Sequence, residues 1–181
     1  MFRSDILHDN LIEQWEGITM EIVRLESREI DRIAPLVAAF RVSLKNFNGI
    51  AALPNVEAGK QEMLEYLDAG YPCFAAVEHE TFIGYIVCRV EKPTVWVESL
   101  YVKEEYRRRG VATKLYQTAE NLATSYGEDT VFNFVHPNNH GMIEFLRKNG
   151  YSVLNLIELR KPYSGEVLSR KIQVGEHEFD Y

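Results

Sequence analysis

The chemistry that this sequence could perform is concentrated in one turn rich in arginine. Three consecutive arginines precede Gly110, and the small residue Ala112 follows two positions later. The arginines are Arg107, Arg108 and Arg109. If a strand enters this turn and a helix leaves it, unpaired backbone N–H groups and the positive end of the helix dipole face the same point. Glycine allows a close approach to the backbone and arginine binds phosphate oxygens, so the turn has the chemistry of a phosphate or pyrophosphate site.

Other phosphate-binding signatures are missing from the sequence. It contains no G-x-x-x-x-G-K-[ST] loop, and no G-x-G-x-x-G motif opens a first strand–helix–strand unit. An arginine-rich turn also occurs on solvated surfaces, and its local chemistry leaves both interpretations open. What the turn can hold therefore depends on the elements around it.

The composition is that of a globular protein with a single domain. The chain has 181 residues, of which 46% are hydrophobic and 26% charged, enough to bury a core. Its 27 acidic and 20 basic residues give a net charge of −7, which argues against nucleic-acid binding and suits a cationic small-molecule partner. No apolar run could span a membrane, and the N-terminus lacks the pattern of a secretory signal. We therefore expect a cytoplasmic protein with no membrane partner.

The two cysteines predict neither a disulfide nor a metal site. Cys73 and Cys88 lie within apolar segments, and their spacing is not that of metal ligands. We interpret both as reduced thiols of the core and expect no metal.

Hydrophobic periodicity predicts a mixed α/β protein around one central sheet. The predicted strands are residues 20–26, a hairpin within 73–90, and residues 94–102, 130–135 and 151–159. The predicted helices start near Ser27, Val56, Gly110 and Asn138. The first of them contains Pro35, where we expect a kink or a break.

The first 19 residues are interpreted as an N-terminal extension with one short amphipathic helix. Its apolar stripe consists of Leu7, Leu11, Ile12 and Trp15. A stripe of this kind has to be buried on this chain or on a second copy, so a homodimer is one of the two alternatives.

Two motifs make the sequence resemble the GNAT acetyltransferases, which move an acetyl group from acetyl-CoA to an amine. The family signature for CoA, [R/Q]-x-x-G-x-[G/A], stands here as Arg107–Ala112. The second motif, an asparagine, a helix and a Gly-aromatic pair, stands as "NHGMIEFLRKNGY" from Asn139 to Tyr151. The resemblance implies a GNAT domain over residues 20–160 and leaves 161–181 as a C-terminal arm that packs on the same domain or on a partner.

The resemblance also implies how acetyl-CoA would bind. The fourth and fifth strands of the sheet should run parallel and splay apart. The pantetheine arm should lie in the gap against the backbone of Leu100, Tyr101 and Val102, and Asn139 should hold the same arm. The pyrophosphate should lie on the turn and the start of the following helix. The turn and helix residues concerned are Arg107, Arg108, Arg109, Gly110, Val111, Ala112 and Thr113. For Asn139, an ordinary role at a helix N-terminus is the open alternative.

Acetyl transfer to an amine needs a proton acceptor, because an alkyl amine with a pKa of about 10 is protonated at neutral pH. Glu98 is the candidate base, since it occupies the place where the diamine acetyltransferases of the family carry their glutamate. A backbone N–H near Leu100 or Tyr101 could stabilise the oxyanion. The sequence departs from the family at Leu146, which stands where a tyrosine usually protonates the departing thiolate.

The identity of the acceptor is the least determined property. In the family, the acceptor pocket is built by the first two helices and their loop, here residues 40–67. Glu98 and the acidic balance favour a small cationic amine, and a protein amino group is an alternative. Because Leu146 replaces the tyrosine, a CoA-binding sensor or interaction module with little catalysis is a further alternative.

Overall fold

The computed structural model describes residues 20–181, and the predicted extension with its short helix lies outside the described residues. The chain divides into two compact units. The first ends at Ile143, and the second runs from Glu144 to Tyr181.

A five-stranded sheet forms the centre of the first unit, in the spatial order β1-β2-β3-β4-β5. Its strands are β1 Met20–Arg24, β2 Cys73–Glu78, β3 Thr81–Glu91, β4 Thr94–Val102 and β5 Phe132–Asn133. The first four pair antiparallel with their neighbours, and β5 runs parallel to β4. Only two residue pairs join β4 to β5, Trp96 with Phe132 and Val97 with Asn133. The predicted mixed sheet with parallel, splayed fourth and fifth strands is therefore confirmed.

Four α-helices accompany the strands in the described residues. They are α1 Ile30–Phe47, α2 Val56–Asp68, α3 Val111–Ser125 and α4 His140–Lys148. Helices α1 and α3 both contact the central strand β3. With helices over both faces, β3 is buried almost continuously from Phe82 to Cys88. This is why its sequence is an unbroken apolar run and not an alternating one.

Helix α1 continues through Pro35, so of the predicted kink or break the break is wrong. Proline removes its own backbone hydrogen bond, which normally destabilises a helix interior. The apolar side of the helix compensates, because Ile33, Leu36 and Val37 are all buried in the core together with Met63 of α2. Tertiary packing therefore outweighs the local preference of the proline.

Gly59 sets the close approach of α2 to α1. A Cβ atom at this position would lie 2.6 Å from the backbone oxygen of Ala34 and 2.9 Å from the backbone nitrogen of Ala38. Replacing Gly59 by Ala should therefore force the helices apart and lower the free energy of unfolding by about 1–3 kcal/mol, as overpacking does. Urea denaturation measures this. The control is Gly141→Ala in α4, where the new Cβ meets nothing within 4 Å; equal losses in both variants would contradict the argument.

Both cysteines lie in the buried core of the first unit and are free thiols. Burial raises the pKa of each thiol to about 12. They are therefore protonated and unreactive at neutral pH, as expected of core thiols.

No described helix is long and apolar enough to cross a membrane.

The second unit differs from the sequence prediction. The predicted strand 151–159 is wrong, because residues 151–170 form neither helix nor strand. Their apolar side chains are exposed, with Val153 at 87% and Leu154 at 70%. The only strands of this unit are β6 Lys171–Val174 and β7 His177–Asp180, which pair as an antiparallel hairpin. The side chain of Lys171 bridges across it to Glu178 and Asp180, each at 3.0 Å.

Candidate active site

A gap in the sheet begins where the pairing of β4 with β5 ends. Beyond Val97 and Asn133 the two strands share no further pairs. On its other side, β4 continues to pair with β3 as far as Val102. From Glu98 onwards, this edge of β4 has no strand partner among the described residues, and an extended ligand can pair with such an edge as an added strand.

The three predicted pantetheine contacts lie along this free stretch of β4. Leu100 and Tyr101 are half-buried, and Val102 is buried. The ring of Tyr101 packs against that of Phe40 in α1, with centroids 6.3 Å apart. Tyr101 therefore fixes α1 to the strand, while its backbone lies beside the gap.

At the end of β4, the arginine-rich turn leads into α3. Gly110 adopts a left-handed conformation with φ of 79° and precedes the first helical residue, Val111. No side chain caps this helix, and the first bond of the helix is from the N–H of Lys114 to the carbonyl of Gly110. The N–H groups of Val111, Ala112 and Thr113 therefore have no partner within the helix and point to the turn, which suits an anion.

The three arginines of the turn have different surroundings. Arg107 donates from Nε to the carbonyl of Val102 at 3.0 Å and pairs with Glu104 at 3.3 Å. It therefore ties the turn to the end of β4. Arg108 and Arg109 are exposed, and Arg109 lies over the ring of Tyr106 at 5.3 Å. Of the three, these two are the arginines whose charge is directed to solvent at the turn.

Glu98 lies at the other end of the free stretch, on a β-bulge. Val87 pairs with Ser99 and Cys88 with Val97, so Glu98 is an extra residue on β4. A bulge re-aims the side chain that it carries. The Glu98 side chain is 32% exposed, and its Oε2 lies 3.6 Å from Nε of Arg89. The candidate base therefore stands in water-accessible space beside the guanidinium of Arg89.

Arg89 is a site residue that the sequence analysis missed. Besides Glu98, it pairs with Glu91 at 3.0 Å, and its guanidinium lies 5.5 Å from the ring of Trp96 and 5.9 Å from that of Phe134. Its Nε is buried and has no hydrogen-bond partner among the described residues. The distance to Glu98 is too long for a hydrogen bond, so the carboxylate is compensated in charge but not held by Arg89.

Two buried hydroxyl groups belong to Ser99, the residue that follows Glu98 on β4, and to Tyr85 of β3. The Oγ of Ser99 and the OH of Tyr85 are buried and have no hydrogen-bond partner among the described residues. Burial raises the pKa of Tyr85, so its phenol stays neutral. The pKa of Tyr66, in α2, is raised by burial first and then by the negative charge of Glu62, with a further contribution from Glu98.

A cavity of about 310 Å³ opens between α1, α2 and the loop that joins them. Its charged lining residues are Arg41, Lys45 and Glu62. The remaining lining residues are small or apolar, apart from Asn55: Ala38, Val42, Ala52, Leu53, Ala58 and Gly59. Asn55 caps α2 by accepting a hydrogen bond from the N–H of Ala58 at 3.0 Å. This cavity lies in the region from which the acceptor pocket was predicted.

The end of α1 is linked to the loop that follows β5. The Nδ2 of Asn138 donates to the carbonyl of Phe47 at 2.8 Å, and the rings of Phe47 and His136 stack at 5.9 Å. His136 also bonds Asn48 at 3.2 Å, and burial lowers its pKa. The wall of the cavity and the loop beside the gap are therefore joined.

Asn139 acts at the N-terminus of α4. Its Oδ1 accepts a hydrogen bond from the N–H of Met142 at 3.2 Å. This is the ordinary helix-terminal role that the sequence left open. It uses the side-chain oxygen of Asn139, and the contact of Asn139 with pantetheine stays a prediction.

Leu146 is buried in α4 and its side chain has no proton to donate to a thiolate. No group of three or more His, Cys, Asp or Glu side chains in residues 20–181 could hold a metal ion.

These elements and motifs place the chain in a known class. The profile of the Acetyltransferase (GNAT) family matches residues 44–151, more than half of the chain. The chain belongs to this family.

Individual relatives are more distant. "Probable N-acetyltransferase san" of Drosophila melanogaster is 28% identical over 100 residues, which are 52% of this chain and 54% of that protein. The chain spans about half the length of the curated relatives it matches. 

Among solved structures, the PaiA N-acetyltransferase of Thermoplasma acidophilum in complex with coenzyme A has a TM-score of 0.62 at 22% identity, covering 73% of this chain and 89% of that one. The aminoglycoside N-acetyltransferase AAC(6')-Iy in complex with CoA has a TM-score of 0.63 at 20% identity, covering 80% and 96%. At these identities the likeness shows the fold.

Proposed function

We propose that the protein is an N-acetyltransferase that moves an acetyl group from acetyl-CoA to a primary amine, and that the acceptor is a small amine which binds as a cation. The observation that carries the proposal is the free edge of β4. This edge has Glu98 at one end and the arginine–glycine turn at the other. Family membership and the CoA named with two related structures support the same co-substrate.

The residues of the free edge and the turn suit acetyl-CoA. The backbone of Leu100–Val102 would pair with the pantetheine arm, as an added strand does. The N–H groups of Val111–Thr113, with Arg108 and Arg109, would bind the pyrophosphate, while Arg107 holds the turn to the strand. Gly110 leaves the approach open, since a Cβ there would meet no atom of the described residues within 4 Å. Asn139 would contact the pantetheine arm through its amide nitrogen.

Glu98 would remove a proton from the bound ammonium group, directly or through a water molecule. An alkyl ammonium has a pKa of about 10, so the free amine is scarce at neutral pH without such a base. The amine nitrogen then bonds to the acetyl carbon, and a backbone N–H near Leu100 or Tyr101 would face the carbonyl oxygen. As the carbon–sulfur bond breaks, the nitrogen loses its second proton to solvent and the neutral amide forms. Leu146 donates no proton, so the thiolate would take its proton from solvent.

The proposal is tested by calorimetric titration with acetyl-CoA, followed by thiol release in the presence of a panel of amines. We expect micromolar binding and release that depends on a small amine. Binding without release for any amine would indicate the CoA-binding module instead, and release only with peptides would indicate a protein amino group as acceptor. No binding of acetyl-CoA would overturn the proposal.

The homodimer and the cytoplasmic location remain predictions.

A further inference from the structure

Three aromatic side chains form a wall beside the gap between β4 and β5. Trp96 of β4 pairs in register with Phe132 of β5, and the centres of their rings are 4.9 Å apart. The ring of Phe134, just after β5, stacks on that of Trp96 at 4.7 Å, with an angle of only 9° between the two planes. We call these three residues the aromatic wall.

The aromatic wall lies on the face of the sheet away from α3. Between its two phenylalanines, Asn133 donates from Nδ2 to the hydroxyl of Tyr116 in α3 at 2.7 Å. Because side chains alternate along a strand, the phenylalanines on either side of Asn133 point to the opposite face. Two of the three rings, those of Trp96 and Phe132, are half-buried, whereas Phe134 is 55% exposed. Phe134 is therefore the ring of the wall that a ligand can reach.

Arg89 joins the aromatic wall to the candidate base. Its Nε lies 3.6 Å from Oε2 of Glu98, and the central carbon of its guanidinium lies 5.9 Å from the centre of the Phe134 ring. Since Nε and this carbon are directly bonded, Oε2 of Glu98 and the centre of the Phe134 ring are separated by less than twice the longer of these distances. One small molecule can therefore contact both the base and the exposed ring.

The charges at this place suit one ammonium group and disfavour a second. The guanidinium of Arg89 faces two carboxylates, Glu98 at 3.6 Å and Glu91 at 3.0 Å, so these three side chains carry one net negative charge. The same guanidinium already lies over the rings of Trp96 and Phe134, at 5.5 and 5.9 Å. A second ammonium group beside Phe134 would be repelled by this guanidinium, whereas an uncharged ring would not.

We propose that the acceptor carries an aromatic ring on the alkyl chain of its reactive amine, and that this ring stacks on Phe134 while the amine lies at Glu98. This inference rests on the proposed function and narrows its substrate class from small amines to arylalkyl amines. Stacked rings have centres about 4.5–7 Å apart, and a hydrogen bond spans about 3 Å. A ring that is two or three carbons from the amine therefore fits the separation of Phe134 and Glu98.

The experiment compares amines that differ only in whether their ring is aromatic. Phenylalkyl amines with one to four methylene groups are each matched with the cyclohexyl amine of the same chain, and a linear diamine of similar length is included. Thiol release by the full chain gives kcat/KM for each amine and the ratio of the phenyl to the cyclohexyl value. The two amines of a pair differ in basicity, but equally so for every variant. The change of the ratio between variants is therefore the quantity to measure.

Variants of Phe134 assign the selectivity to this ring. Phe134→Leu keeps an apolar side chain but removes the ring, and it should lower the phenyl-to-cyclohexyl ratio by about threefold to tenfold, the effect of one aromatic pair. Phe134→Tyr should keep the ratio. The control is Tyr126→Leu at the C-terminal cap of α3, which removes another ring that lies beside a cation, Lys92 at 5.1 Å. This control should leave the ratio unchanged.

An unchanged ratio in Phe134→Leu overturns the inference while acetylation itself continues. A diamine with a higher kcat/KM than every phenylalkyl amine also overturns it, because a second cation would then be preferred to a ring. A ratio that falls in Leu53→Ala but not in Phe134→Leu would place the ring in the cavity that Leu53 lines, with the same consequence.

Absence of turnover with every amine, despite binding of acetyl-CoA, overturns the proposed function and the inference together. The two kinds of failure are distinguishable, because the inference alone fails only where turnover can still be measured.

Discussion

Replacing Glu98 by Gln will abolish amine-dependent release of CoA while leaving acetyl-CoA binding intact. The amide has nearly the same shape as the carboxylate but cannot accept the proton of an ammonium group at neutral pH. Loss of a general base lowers kcat by about 10²-fold to 10⁴-fold. Thiol release measures the turnover, and calorimetric titration measures the binding.

Glu91→Gln is the matched control for this variant. Glu91 pairs with the same arginine, Arg89, at 3.0 Å, but its side chain is 63% exposed. If the loss of charge around Arg89 were the cause, both variants would lose activity. We expect only Glu98→Gln to do so, and unchanged turnover in that variant would remove Glu98 from the mechanism.

Gly110→Asp should reduce the affinity for acetyl-CoA by at least about tenfold. The glycine has φ of 79°, a conformation that costs other residues about 1–2 kcal/mol. The new carboxylate would also stand at the helix N-terminus, where it would compete with a phosphate for the N–H groups of Val111–Thr113. Calorimetric titration measures the affinity.

Gly127→Asp separates strain from the loss of the binding site. Gly127 follows the other end of α3 and has φ of 87°, and a Cβ there also meets nothing within 4 Å. Gly127→Asp should lose at least as much stability, because its carboxylate stands at the negative end of the helix, while only Gly110→Asp loses affinity. Equal affinity in the two variants would show that the turn does not bind the pyrophosphate.

Local sequence signals predicted those parts of the site whose conformation depends on residues adjacent to one another in the sequence. The turn before α3 is one of them, because Gly110 and the helix that follows it are sufficient to define where the N–H groups point. The parallel arrangement of β4 and β5 came from the family resemblance carried by the motifs at Arg107–Ala112 and Asn139–Tyr151. Family likeness supplied what periodicity alone could not.

The pairing of Arg89 with Glu98 could not be predicted from residues that are neighbours in the sequence. It depends on the register of β3 against β4 and on the bulge that makes Glu98 an extra residue. The turn near Pro93 was a usable signal, since a tight hairpin would place Arg89 close to Trp96. The bulge, however, follows from packing across the whole sheet.

The strand predicted at residues 151–159 failed for a different reason. Its apolar residues have the composition of a strand, but a strand also needs a partner that supplies backbone hydrogen bonds. In the second unit, the only described strands, β6 and β7, pair with each other. Composition predicts a tendency to form a strand, and the available edge decides whether one forms.

The bond from Asn138 to Phe47 has a consequence for changing the range of acceptors by design. The oxygen that accepts this hydrogen bond belongs to a main-chain carbonyl, which every amino-acid type possesses. Side chains on the last turns of α1 can therefore be exchanged without removing that bond between the cavity wall and the loop beside the gap. Libraries that vary Lys45 and Val42, with Asn138 kept constant, should retain the fold while sampling new acceptors.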